Sequence, residues 1–294
     1  MKTNYVLITP AHNEAQRIDK VIACIVSQTI RPTKWVIVND GSTDNTEQIL
    51  ADYEKEHDFL VQLQPERSGK ETYYGYRTQA VLAGYKAVEG LRFDFVAFLD
   101  SDLTIAPSYY ESILTEFDRN PKLGIATGVY INEMPYGLEK VVRDNISTPG
   151  GLQMFRRACF EDIGGYRLMK YGGDDSLADI MARMHGWQTQ SFPAYEAIHH
   201  RPTGTAGGKH ILKARFYQGY TEYSLATHPL FMLAKSFRRA FVEKPYLIGS
   251  TARLLGFVAC GLKDRQRCIP EEAAEYVRKE QLRRLLGRKK ETGS

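Results

Sequence analysis

The stretch FDFVAFLDSD, residues 93–102, decides how this chain folds. Its first seven residues are apolar at nearly every position, the pattern of a strand buried on both faces of a parallel sheet. That strand runs directly into Asp100-Ser101-Asp102. Two carboxylates two residues apart at the mouth of a buried strand cost free energy unless something cationic neutralises them. A hard divalent cation, magnesium or manganese, suits such a pair, since these ions sit on one or two carboxylates and complete their shell with substrate phosphates. The competing explanation is a solvated turn in which Asp102 caps the next helix.

Working outward, four further apolar runs alternate with helical patterns: 5–9 (YVLIT), 35–39 (WVIVN), 59–63 (FLVQL) and 124–131 (GIATGVYI) read as strands. Helices are expected at about 14–27, from Asp44 with Glu47 reaching back in a capping box, at 77–89 and at 108–118. Repeated β-α-β units imply a doubly wound α/β sheet, mostly parallel and twisted, with helices on its faces. Ligands of such sheets bind beyond the carboxyl ends of the strands. Past residue 132 the pattern is irregular, with Pro149-Gly150-Gly151, Gly164-Gly165 and Gly172-Gly173 as punctuation, then a helix at about 175–185. From His210 the chain reads as helical, broken at Pro229, Pro245 and Pro270.

The strand ends carry the chemistry. The first runs into TPAHNE, placing Thr9, Pro10, Asn13 and Glu14 where a ribose or base can be held; an ordinary acidic helix start is the alternative. The second ends in NDGSTDNT, with Asp40 at its tip. Asp174-Asp175 open a helix after two glycines. They serve either as plain capping carboxylates or, at Asp175, as a general base for an incoming hydroxyl. His199-His200-Arg201 lie on a loop that either supplies a third metal ligand or a phosphate contact, or is simply surface.

Other features exclude function classes. No GxGxxG or GxxxxGK loop follows the first strand, which argues against a dinucleotide-dependent dehydrogenase and a P-loop enzyme. Cys24, Cys159, Cys260 and Cys268 are scattered, without zinc-site spacing or the look of a disulfide framework. The formal charge of +4 is small and gathered in the last thirty residues, so no nucleic-acid partner is expected. The chain runs into its first strand without a secretory pattern. No uncharged run reaches membrane-spanning length, and the nearest approach, 246–262, contains Arg253. A cytoplasmic protein is expected, free or at the inner face of the cell membrane.

Taken in order, PAHNE, NDGSTD, LDSDL, GGLQMFRRACFEDIGGY and GGDDSLA resemble the family 2 glycosyltransferases of GT-A fold, over roughly residues 4–205. The resemblance implies a domain at 1–208, with a nucleotide-sugar-binding half at 1–131 and an acceptor-binding half at 132–208, and a helical extension at 209–294. It implies that Thr9, Pro10, Asn13, Glu14, Asp40, Asp100 and Ser101 line a nucleotide site, usually for uridine. Asp100 and Asp102 form a DxD-like motif with Asp102 on the metal, and His200 is a further candidate for metal or diphosphate. Asp175 matches the catalytic base, although Asp174-Asp175 replaces the commoner Glu-Asp. The segment RSGKETYYGYR follows the family only loosely, leaving Arg67 or Lys70 as donor contacts. The implied reaction is transfer of a sugar from a nucleotide diphosphate donor, UDP-linked as is usual in the family, to a glycan or lipid-linked hydroxyl, with inversion. A nucleotidyltransferase would need a Gly-rich basic loop that TPAHNE is not. A non-catalytic sugar-nucleotide-binding protein of the same fold would be expected to have lost Asp100, Asp102 or Asp175.

Two readings stay open for residues 230–290. Aromatic and aliphatic residues interspersed with Lys235, Arg238, Arg239, Lys244, Arg253 and Lys263 suit helices lying in a membrane interface. They also suit helices packed on the rest of the protein with solvated basic faces.

Overall fold

A computed structural model describes residues 4–65, 73–134, 137–141, 144–201, 211–264 and 267–287. These fall into two compact units, one drawn from Met1–Leu168 and Asp174–Pro202, the other from Met169–Gly173 and Thr203–Ser294. The expected domain boundary at 208 lies outside the described residues.

The first unit begins β1 (Tyr5–Ala11), α1 (Ile18–Val26), β2 (Lys34–Asn39), α2 (Thr46–Glu56), β3 (Leu60–Leu63), α3 (Tyr73–Val88) and β4 (Phe95–Phe98). It continues with β5 (Leu103–Ile105), α4 (Tyr109–Arg119), β6 (Leu123–Met134), β7 (Gly137–Lys140), a 3-10 turn at Gly150–Leu152, β8 (Met154–Arg156), α5 (Arg157–Asp162), α6 (Asp174–Met184) and β9 (Gln188–His199). The strands form one sheet in the order β3-β2-β1-β4-β8-β6-β9-β5, with β7 paired to β6. The expected parallel arrangement holds from β3 to β4; beyond it β8 runs antiparallel to both β4 and β6, while β9 is parallel to β6 and antiparallel to β5.

All four residues of β4 are buried, as its unbroken apolar run requires. Helix α1 buries Ile18, Val21, Ile22 and Ile25, the 3–4 spacing of one face. Each such side chain stabilises the fold by about 1.5–3 kcal/mol. Helix α4 does the same with Tyr110, Ile113, Leu114 and Phe117.

Two local expectations are corrected. Helix α2 starts at Thr46 and its N-cap, Asn45, makes no side-chain cap bond. Asp44 instead accepts from Thr46 N (3.0 Å) and Ala15 N (3.1 Å), tying the α2 entry to the β1–α1 turn. The irregular region after residue 132 contains β8 and the twelve-residue β9. Strand β9 carries no strand signal in the sequence because QTQSFPAYEAIH is largely polar and bulged around Pro193, between the Thr127–Ser191 and Val129–Glu196 pairs. Residue 131, the expected divide between donor and acceptor halves, lies inside β6.

The second unit contains α7 (Ile211–Ser224), α8 (Pro229–Val242), α9 (Ile248–Lys263) and α10 (Glu271–Leu285). Pro229 opens α8 and Pro270 precedes α10, where a missing N–H costs nothing. Helices α7 and α9 cross at Gly219 and Gly256. A Cβ on Gly256 would lie 1.9 Å from Phe216 O, and one on Gly219 would lie 2.1 Å from Arg253 O, so only glycine permits this approach. No helix among the described residues is long and apolar enough to cross a membrane.

Candidate functional site

Strand β1 has β2 on one side and β4 on the other, so the strand order reverses at β1, and a crevice opens at the carboxyl ends of the three strands. Asp40 N donates to Ala11 O (2.9 Å) and Leu99 N to Ile8 O (3.1 Å), which sets both Asp40 and Asp100 beside the end of β1.

On the β1 side, Asn13 takes a left-handed backbone conformation (φ 56°) that asparagine tolerates better than most residues. Its Oδ1 accepts from Thr43 N (2.7 Å) and Asp44 N (3.3 Å), locking together the turns after β1 and β2. Pro10 and Asp40 are half-buried at the rim, and Ser101 is buried. Thr9 is fully buried and its hydroxyl accepts from Trp35 Nε1 (3.0 Å), so only its backbone is left for a ligand. Lys70 and Arg67 lie outside the described residues.

The two aspartates after β4 are neutralised by different protein cations. Arg77, on α3, donates from Nε to Asp100 Oδ1 (2.9 Å) and from Nη1 to Asp174 Oδ2 (3.2 Å). Asp102 Oδ2 accepts from Arg201 Nε (2.8 Å) and lies 3.4 Å from His199 Nε2. Arg201 also binds Glu14, bridging the turns after β1 and β4. Burial works to raise the Asp102 carboxyl, but His199 and Arg201 outweigh it and hold it well below the usual range. Burial pushes Glu14 up to about 7 despite Arg201, and Asp174 up to about 6 despite Arg77.

Histidine placement differs from the expectation. Successive residues of a strand face opposite ways, and at the end of β9 it is His199 that faces Asp102. His200 is turned to Glu133 Oε2 (2.8 Å) and Thr104 Oγ1 (3.0 Å), which engage both its ring nitrogens. His199 Nδ1 pairs with Asn132 Oδ1 (3.2 Å), the outer contact that orients a ligating imidazole.

Among the described residues no three His, Cys, Asp or Glu side chains converge as a closed metal centre. The residues present fit an open one. Asp102 Oδ2 and His199 Nε2 supply one oxygen and one nitrogen donor, leaving positions for phosphate oxygens. Five carboxylates, Glu14, Asp100, Asp102, Asp174 and Asp175, gather around Arg77, Arg201 and His199, a local excess of acid that favours a divalent cation.

Gly150 and Gly151 form the wall between Asp100 and Asp175. Gly151 O accepts from Asp100 N (3.0 Å), and Gly150 N donates to Asp175 Oδ2 (3.1 Å). Asp175 Oδ1 accepts from Ser176 N (2.7 Å). A Cβ on Gly151 would lie 2.4 Å from Asp100 Oδ2 and 2.7 Å from the Tyr130 hydroxyl. Gly151→Ala is therefore expected to displace Asp100 and weaken nucleotide binding about tenfold or more, with the melting temperature changed by only a few degrees; titration calorimetry beside thermal unfolding measures both. Unaltered affinity would mean that Asp100 yields without consequence.

Three of the side chains that meet these carboxylates have no local signature. Arg77 is a lone cation on a mixed helix, His199 is indistinguishable from His200 by sequence, and Arg201 is simply the next residue. Their partners lie 23, 97 and 187 residues away (Asp100, Asp102 and, for Arg201, Glu14).

Comparison with known proteins gives the family and the fold. Residues 6–177 match the family described as glycosyl transferase family 2. A stretch of 121 residues is 32% identical to poly-beta-1,6-N-acetyl-D-glucosamine synthase of Staphylococcus epidermidis, taking in 40% of this chain and 26% of that enzyme. The chain thus spans about a quarter of that relative's length. Among solved structures, the mannosyltransferase PcManGT from Pyrobaculum calidifontis, in complex with GDP-Man and Mn2+, is similar with a TM-score of 0.57 at 18% identity, over 99% of this chain and 76% of that one. S. aureus TarS 1-349 in complex with UDP-GlcNAc is similar with a TM-score of 0.58 at 15% identity, over 98% and 93%. At such identities these two structures speak for the fold, which is GT-A. The family match covers more than half of the chain and runs from β1 through Asp175, and on that ground the protein belongs to glycosyl transferase family 2.

Proposed function

We propose that this protein transfers a sugar from a nucleotide diphosphate donor, a UDP-sugar by preference, to a hydroxyl of a growing glycan or lipid-linked saccharide, with inversion at the anomeric carbon. The observation that carries the proposal is the set of carboxylates itself: Asp100 borders Gly151, Asp175 touches Gly150, and Asp102, two residues beyond Asp100, faces His199. GDP-Man and UDP-GlcNAc in the two structural neighbours, with Mn2+ in the first, support a nucleotide-sugar donor and a divalent metal. The relative, named as the synthase of a glucosamine polymer, supports a glycan acceptor.

In this reading Pro10, Asn13, Glu14 and Asp40 shape the nucleoside end, with Thr9 contributing backbone only. Asp100 and Ser101 border the diphosphate. Asp102 and His199 would hold a divalent metal, which would supply charge to offset that developing on the departing diphosphate. Arg77 keeps Asp100 and Asp174 oriented. Asp175, its carboxylate fixed by the Gly150 and Ser176 amides, accepts the proton of the acceptor hydroxyl as that oxygen attacks.

Calorimetric titration with UDP, GDP and CDP, with and without manganese, tests the donor assignment. UDP is expected to bind at least tenfold more tightly than GDP or CDP, about 1.4 kcal/mol, and only with metal. Well-folded protein that binds none of the three in either condition would remove the donor site.

A further inference from the structure

Asp179 is a carboxylate that the transfer mechanism above does not use. It lies on α6 one turn after Asp175 and is 3% exposed, among the buried Leu177, Ala178, Ile180 and Met181. A buried charge destabilises a fold unless its neighbours satisfy it. For stability alone, an apolar side chain would serve as well at such a position.

Both oxygens of Asp179 accept from one residue. Thr148 N donates to Oδ2 (2.8 Å), and the Thr148 hydroxyl donates to Oδ1. That hydroxyl accepts in turn from Gln153 Nε2 (2.7 Å), which also donates to the Asp175 carbonyl (3.3 Å). The Tyr166 hydroxyl donates to Gln153 Oε1 and so fixes which way round the amide stands. Thr148, Gln153 and Tyr166 are all buried. A buried polar network with its bonds made holds one arrangement firmly.

The network straddles the Gly150–Gly151 wall, with Thr148 before it and Gln153 after it. Upstream, Ser191 N donates to Asn145 O (2.6 Å) and the Ser191 hydroxyl to Ser147 O (2.6 Å), which pins the approach to Thr148 onto β9. The two sides of the wall are held differently. On the Asp100 side the bonds are backbone: Phe98 N donates to Gln153 O (2.8 Å) and Asp100 N to Gly151 O (3.0 Å). On the Asp175 side, Gly150 N meets a side-chain carboxylate (3.1 Å), and that contact depends on where the first turn of α6 stands.

We propose that Asp179 is a positioning residue for Asp175: through Thr148 and Gln153 it holds the first turn of α6 against Gly150, so that the Asp175 carboxylate keeps its place. The inference rests on the reading of Asp175 as the base. Misplacing a reacting group by about 1 Å costs up to about 100-fold in rate. The donor side, carried by the β4 backbone, is expected to be spared.

Thr148→Val and Thr148→Ser separate this role from packing. Valine keeps the volume and removes the hydroxyl; serine keeps the hydroxyl and loses a methyl. The probe is UDP-GlcNAc, the donor bound in the TarS structure, with UDP release to water as the readout. Thr148→Val is expected to lower kcat about 10–100-fold, with the affinity for UDP and manganese within about threefold of wild type. Thr148→Ser is expected to bring kcat back to within about threefold of wild type. Asp179→Leu is expected to slow turnover at least as much as Thr148→Val; if it does not fold, the Thr148 pair carries the test. In the Asp175→Asn background Thr148→Val is expected to cost nothing further, since residues acting as a unit are not additive. The Gly150 amide proton gives a readout that needs no turnover. In Thr148→Val its resonance is expected to move towards its position in Asp175→Asn, and in Thr148→Ser to stay near that of wild type.

Thr148→Val with either wild-type kcat or an unmoved Gly150 resonance overturns the inference. So does Thr148→Ser as slow as Thr148→Val, or a full further loss when Thr148→Val is added to Asp175→Asn. Asp175→Asn turning over at the wild-type rate removes the base assignment and this inference with it. Wild type that releases no UDP faults the donor reading instead, and the Gly150 resonance then decides alone.

Discussion

Asp102→Asn is expected to abolish manganese-dependent nucleotide binding and to lower sugar transfer by roughly 10²–10³-fold, the range seen when one preorganised electrostatic contact to developing charge is removed. The substitution keeps the shape of the side chain and one acceptor oxygen, so Arg201 Nε retains a partner at 2.8 Å and also keeps Glu14. What it removes is the negative charge that His199 and Arg201 hold well below the ordinary carboxylate range. A neutral amide beside His199 is a poor site for a divalent cation. Calorimetry with UDP and manganese reads the binding loss, and thermal unfolding separates it from a folding defect. UDP binding at wild-type affinity in the presence of metal would take Asp102 out of the metal role.

Asp175→Asn is expected to cut kcat by roughly 10³-fold while leaving the affinity for UDP within a factor of two or three, the split expected when a general base is lost. Its carboxylate is held by Gly150 N (3.1 Å) and Ser176 N (2.7 Å), and an asparagine oxygen can accept one of these bonds. Asp174→Asn is expected to behave differently. Asp174 is half-buried against Arg77 (3.2 Å) and Thr78 (3.2 Å), and Arg77 also holds Asp100. Leaving a half-buried donor without its partner costs about 1–3 kcal/mol, so this variant is expected to lose stability and donor affinity together. Single-turnover kinetics beside urea unfolding distinguishes the neighbours. Wild-type transfer by Asp175→Asn would end its assignment as the base and turn attention to Asp174.

The sheet half that carries the crevice was legible because its signals are local. A strand buried on both faces must be apolar at nearly every position, as β4 is. The carboxylates that follow it directly, Asp100 and Asp102, lie where a parallel sheet opens its crevice whatever the rest of the chain does. Asp40 after β2 was readable for the same reason. Strand β9 was not, since a half-exposed, bulged strand with proline inside lacks both the apolar run and the strict alternation.

The sequence by itself determined the strand–helix alternation, the carboxylate pair after the fourth strand, and two-faced helices in the C-terminal third. Only tertiary structure decided which groups meet those carboxylates: Arg77 for Asp100 and Asp174, His199 in place of His200 for Asp102, and glycines 150 and 151 as the wall beside Asp175. It also decided which side of α8 and α9 turns outward. Periodicity marks two faces of a helix and is silent on which one is inward. Here the close α7–α9 crossing at Gly219 and Gly256, with the buried pairs of Glu222 and Glu243, draws the charged face in and leaves the apolar one exposed. The physical reason is range: burial pattern and strand-end position are written in adjacent residues, whereas a charge finds its partner only when the fold brings distant segments together.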